Sequence, residues 1–157
     1  MIVNNVLKDL VSVLGRNLPR VEKARAIAEG IRKAGSYRWT GLYDVDNQNG
    51  LVSNIGWSGA GAPEFPVFPI TRGLTSRAIS SKKTINVGDV ANDADYLTAL
   101  ATTQSEIIIP VLDATREKVL GTIDVESERP HAFDAAVEVW LEQCATALRG
   151  FWENNGN

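Results

Sequence analysis

Apolar and polar positions along the chain change period four times, and the changes mark out the elements. Val3, Leu7, Leu10 and Leu14 recur at helical spacing, with Val6 and Val11 beside them, which predicts a helix from Val3 to Leu18. Pro19 stops it and suits the first turn of a second helix, whose face is Ala24, Ile27, Ile31 and Ala34 before the terminator Gly35. The period then drops to that of strands. Tyr37 to Val45 and Leu51 to Trp57 flank the turn Asp46-Asn47-Gln48-Asn49-Gly50. A loop rich in Gly, Ala and Pro runs from Ser58 to Pro66, and the Pro-punctuated Phe65 to Ile70 suits a sheet edge. A short helix from Leu74 to Ser81 and a strand from Thr84 to Val87 come next. Gly88 to Gln104 is the longest irregular stretch. Ser105 to Leu112 and Val119 to Ser127 read as a hairpin around the charged gap Asp113 to Lys118. Helical spacing returns after Asp134, a good N-cap, with Val137, Leu141, Cys144, Leu148 and Phe151 on one face and Trp140 and Trp152 alongside.

This order predicts an α+β fold: a central antiparallel sheet of five or six strands with the terminal helices on one face. Loops and short helices cover a pocket on the other. A single domain over 1–157 is expected, with N-terminal helices at 1–34, sheet and pocket loops at 37–128 and a C-terminal helix at 134–152.

The hairpin carries acid where strands want apolar residues. Glu106 stands at the mouth of an Ile run, and Asp124 sits between Ile123 and Val125. Pairing Leu112 with Lys118 sets Glu106 opposite Asp124, so that both carboxylates share one face. Two carboxylates in an apolar setting require either a proton or a cation between them. Surface exposure of both is the plainer alternative, since buried charge is uncommon.

Composition narrows the chemistry. Of 157 residues, 44% are hydrophobic and 22% charged, and the net charge of −3 argues against a general nucleic-acid surface. Cys144 and His131 are the single cysteine and histidine, which excludes an internal disulfide and a zinc site of Cys and His ligands. No metal site or cofactor is read from the sequence. No signal peptide or membrane-spanning run is seen, so the cytoplasm is the expected location. The Leu/Val stripe of the first helix fits either core packing or a dimer seam.

Five blocks, in order, carry a family resemblance: Trp39-Thr40-Gly41-Leu42-Tyr43, Arg72-Gly73-Leu74-Thr75, Val87-Gly88-Asp89-Val90, Ser105 to Pro110 and Gly121 to Ser127. Together they resemble the free methionine-(R)-sulfoxide reductases, which are GAF domain enzymes. The resemblance implies the GAF fold, and a substrate amino acid held by the carboxylates at Glu106 and Asp124. It also implies a cysteine thiolate as nucleophile, yet the corresponding positions here are Thr75 and Ala99. The expected function is therefore that of a non-catalytic, sensor-type domain for a small molecule with an amino or other cationic group. Glu106 and Asp124 would anchor it, Tyr96, Trp57 and Trp39 would wall the pocket, and Thr75 would line it. Closure over the ligand would order Asp89 to Thr103. A homodimer through the terminal helices is expected. Two alternatives stay open: a reductase-like enzyme, and a dimeric interaction module without ligand.

Overall fold

Six strands form one antiparallel sheet in the order β3-β2-β1-β6-β5-β4 in the computed structural model, which describes residues 2–96 and 101–154. The elements are α1 (Ile2–Val13), α2 (Arg20–Gly35), β1 (Trp39–Asp46), β2 (Leu51–Gly59), β3 (Val67–Pro69), α3 (Gly73–Ser81), β4 (Ile85–Val87), a 3-10 turn (Val90–Asn92), β5 (Ser105–Leu112), β6 (Val119–Ser127), α4 (Ala135–Ala147) and α5 (Arg149–Glu153). The α+β arrangement read from the periodicity is the one found.

Alternation along β5 and β6 sorts the two faces. Ile107, Ile109, Val111, Ile123 and Val125 join the main core with Ile27 and Ile31 of α2 and Leu141 and Cys144 of α4. The residues between them, Glu106, Ile108, Asp124 and Glu126, therefore point to the opposite face. That face carries two smaller apolar clusters. One is built on Trp39, Tyr43 and Phe68. The other joins Leu74 and Ala78 of α3 to Ile108, with Tyr96 packed against it.

Element ends reflect local chemistry. The Asp134 carboxylate accepts from the Val137 amide at 2.9 Å, capping α4 as expected. Ser36 adopts the left-handed conformation at the end of α2, and its amide turns back to the last carbonyls. The first helix ends at Val13, short of the expected Leu18. Its chain continues in three-residue bonds, Leu14 to Val11, Gly15 to Ser12 and Arg16 to Val13, which tighten and then break the helix. The last helix is likewise not continuous to Trp152, because Leu148 (ψ 0°) divides α4 from α5. The break turns Phe151 and Trp152 into the core.

Trp152 fastens that corner. Its indole Nε1 donates to the Tyr43 carbonyl at 3.0 Å, across Gly121 of β6. A Cβ at Gly121 would lie 2.0 Å from that nitrogen and 2.4 Å from the Tyr43 oxygen, one of them backbone. Gly121→Ala is expected to destabilise the fold by about 2 kcal/mol, through overpacking and loss of this bond. Chemical denaturation measures it, and an unchanged midpoint contradicts the packing described.

The β5–β6 register corrects the expected pairing. Leu112 pairs with Val119 and not with Lys118, and a bulge between Val111 and Leu112 shifts the ladder once more. Glu106 thus faces Glu126, and Asp124 faces Ile108. The cause lies in the loop. The Asp113 amide bonds the Lys118 carbonyl at 2.9 Å, and the Asp113 carboxylate gathers Thr115, Glu117 and Lys118, so the hairpin closes one pair further out. Turn and bulge each add one residue. The two shifts preserve parity, and Asp124 keeps the face expected for it.

Candidate functional site

Three carboxylates meet on the face of the sheet opposite the long helices. Glu106 comes from β5, and Asp124 and Glu126 come from β6, two residues apart and hence on one face. They are 3%, 6% and 0% exposed. One oxygen from each can be chosen such that all three lie within 4.8 Å of one another. Among the described residues, Glu106 Oε2, Asp124 Oδ1 and Glu126 Oε2 have no hydrogen-bond partner. Among the described residues no lysine or arginine forms an ion pair with them. Arg77, on the nearby α3, is engaged with Asp93 at 2.8 Å and Asp95 at 3.8 Å.

Such a cluster cannot be fully ionised in a dry setting. Burial pushes Glu106 well above the usual carboxylate range, with the charges of Asp124 and Glu126 adding to it. Glu106 and Asp124 stand close enough to share a proton, which raises the first and lowers the second. Burial pushes Asp124 up to about 7. Glu126 rises to about 8 through burial and the Asp124 charge, against the hydrogen bonds it accepts. Those come from Thr103 Oγ1 at 2.8 Å and the Tyr96 hydroxyl at 3.2 Å, both to Oε1. They leave Oε2 without a donor among the described residues.

The ladders across the sheet place the aromatic residues. Trp39 pairs with Glu126, and Gly41 pairs with Asp124 on one side and Trp57 on the other. The Trp39 ring lies across Gly41, where a Cβ would stand 2.2 Å from Cη2, and its Nε1 donates to the Gly61 carbonyl at 2.9 Å. Gly41 is what lets an indole lie flat between Trp57 and Asp124. Tyr43, next along the same face, is 3% exposed, and burial together with the three carboxylates holds its phenol well above the usual range.

Glu106 and Asp124 are therefore brought together, and Tyr96 reaches the same cluster through Glu126. Trp57 is half-buried and packs against the Trp39 and Tyr43 cluster, one strand removed from Asp124. Thr75 is buried in α3 between Leu74 and Ala78. The hydroxyls that reach the carboxylates among the described residues are those of Tyr96 and Thr103 instead. Ala99 lies outside the described residues. Sequence reasoning missed Glu126, although its spacing of two from Asp124 in a strand carried the signal. Thr103 had none, since its placement depends on a loop. Cys144 stands on the helix side of the sheet, fully buried, with its thiol pushed up to about 12 by burial. That thiol is packing and not a poised nucleophile.

The fold is of a small-molecule-binding or sensor type. The GAF domain family matches residues 19–149, and the chain belongs to that family. "GAF domain-containing protein A" of Dictyostelium discoideum is 24% identical over 149 residues, 92% of this chain and 88% of that protein. The structure of the free methionine-R-sulfoxide reductase of Neisseria meningitidis, in complex with its substrate, superposes with a TM-score of 0.84 at 25% identity, covering 96% of this chain and 88% of the other. The GAF domain of a phosphoenolpyruvate-protein phosphotransferase from Coxiella burnetii has a TM-score of 0.85 at 13% identity over 97% of this chain and 93% of that one, a likeness of fold alone. No helix among the described residues is long and apolar enough to cross a membrane.

Proposed function

We propose that this GAF domain binds a small molecule without transforming it, and that the molecule seats a cationic group between Glu106, Asp124 and Glu126. The observation that carries the reading is the set of three buried carboxylates with unpartnered oxygens and, among the described residues, no cation of the protein's own. Acceptors arranged tetrahedrally around an ammonium nitrogen stand about 4.7 Å apart when each bond is about 2.85 Å. The three oxygens here span up to 4.8 Å. Trp39 and Tyr43 lie on the same face of the sheet, and an aromatic ring attracts a cation. Tyr96 packs on the same side of the sheet and donates its hydroxyl to Glu126. The lack of turnover rests on the thiol: the chain's single cysteine is buried on the far side of the sheet.

A thermal-shift screen of amino acids, their sulfoxides, amines and cyclic nucleotides tests the reading. A ligand that binds only the folded state raises Tm by mass action. Amino compounds are expected to give the shift, and Glu106→Gln with Asp124→Asn is expected to remove it while the protein stays folded. Response to cyclic nucleotides alone, or a shift that survives the double variant, would overturn the proposed seat.

A further inference from the structure

We propose that the same three carboxylates form a binding site for a calcium-sized divalent metal ion, which competes with the organic cation for Glu106, Asp124 and Glu126. The inference rests on the same cluster as the proposed ligand seat, and three observations lead past it. The first is size. Oxygens bound to one Ca2+ at about 2.3–2.6 Å stand at most about 4.6–5.2 Å apart, whereas around Mg2+ the limit is about 4.0–4.2 Å. Oxygens of all three residues lie within 4.8 Å of one another, a spacing that the larger ion can span.

The second observation is charge. Fully ionised, the cluster carries three negative charges, and a single ammonium leaves two of them buried without a partner. A divalent ion leaves one, and Glu126 is the carboxylate equipped to keep it, since Thr103 and Tyr96 both donate to its Oε1. The third is ligand type. Every donor atom is oxygen, which suits a hard cation. Each carboxylate supplies at least one converging oxygen, and water entering with the ion completes the six to eight that calcium takes. Glu106 Oε2, Asp124 Oδ1 and Glu126 Oε2 are buried and have no hydrogen-bond partner among the described residues, so they are available to an ion.

The test uses the full chain, stripped with EDTA and then titrated with Ca2+ at pH 7.5. At about 1 mM Ca2+ the Tm of the wild type is expected to rise by about 4 °C. Tb3+, a calcium-sized ion, is expected to show one saturable site by emission excited through tryptophan, and Ca2+ should displace it. Asp124→Asn should abolish both signals. Glu142→Gln, which removes a carboxylate on α4 away from the site, should leave them unchanged. A Tm that ignores Ca2+, or a Ca2+ response that persists in Asp124→Asn, overturns the metal site. If amino compounds still stabilise the wild type in that event, the metal site falls and the organic ligand seat stands.

Discussion

Free of ligand, the protein should lose stability as the pH rises from 5 to 8. The sign is set by the three buried carboxylates. Asp124 is raised to about 7 and Glu126 to about 8, and Glu106 lies well above its ordinary value, each chiefly by burial. Below the unfolded values, near pH 4, the groups are protonated in both states and contribute nothing to the difference. As pH climbs past them, the unfolded chain releases protons that the folded chain retains. The unfolded state gains, and the slope of stability against pH is negative. The loss accumulates until the folded values are passed and then levels off. A rise of about three pKa units in one group corresponds to on the order of 4 kcal/mol, and the coupled cluster is counted once. For a chain of this size that is roughly a 10 °C fall in Tm. Asp46 and Asp113, exposed and lowered by hydrogen bonds, act in the opposite sense, but their contribution is complete before pH 5. Thermal melts at pH 5, 6, 7 and 8 in constant salt measure the trend, and a Tm that climbs over that range would contradict it.

Replacing a buried acid should strengthen the fold while emptying it of function. Asp124→Asn removes one charge from the cluster and presents an amide N–H toward the unpartnered Glu106 oxygen. At pH 8 its Tm is expected to exceed that of the wild type by about 5 °C, which corresponds to about 2 kcal/mol. At pH 5, where the wild-type cluster is already protonated, the two proteins should melt together. Most substitutions of a fully buried residue destabilise, so a gain confined to high pH marks electrostatic strain and not a packing change. The same variant should lose affinity for any cation at the site by at least tenfold. Stability exchanged for binding is the expected signature of a site kept in a costly state for its ligand. If Asp124→Asn is less stable than the wild type at pH 8, the carboxylate has a structural partner that the geometry does not reveal.

How much of this was legible in the sequence depends on what fixes each feature. The faces of β5 and β6 were legible because alternation with period two is local, and Ile107, Ile109, Ile123 and Val125 declare the buried side without any knowledge of pairing. The register was not, because it depends on how Asp113 binds its loop and on a bulge at Val111. The expected pairing was two residues out, and the face of Asp124 survived only because the shift was even. Glu126 was legible in principle from its spacing to Asp124. It stands out less because it lies between Val125 and the polar Ser127, whereas Asp124 is flanked by apolar residues on both sides. The hydroxyls of Thr103 and Tyr96 come from a long irregular segment, and nothing local tells where such a loop will lie. The Leu148 break was hidden for a similar reason: Leu148 and Phe151 keep helical spacing through it, so the pattern continues where the backbone bends.

The most direct test of the cation seat is a pH titration of the Asp and Glu side-chain carboxyl carbons by 13C NMR, with the ligand-free wild type and with Asp124→Asn. Three carboxyl resonances are expected to titrate near or above pH 7, and Asp124→Asn should remove one of them and lower the other two. If every carboxyl titrates below pH 5 in the free protein, the cluster is hydrated or already paired, and it is not a vacant seat for a cation.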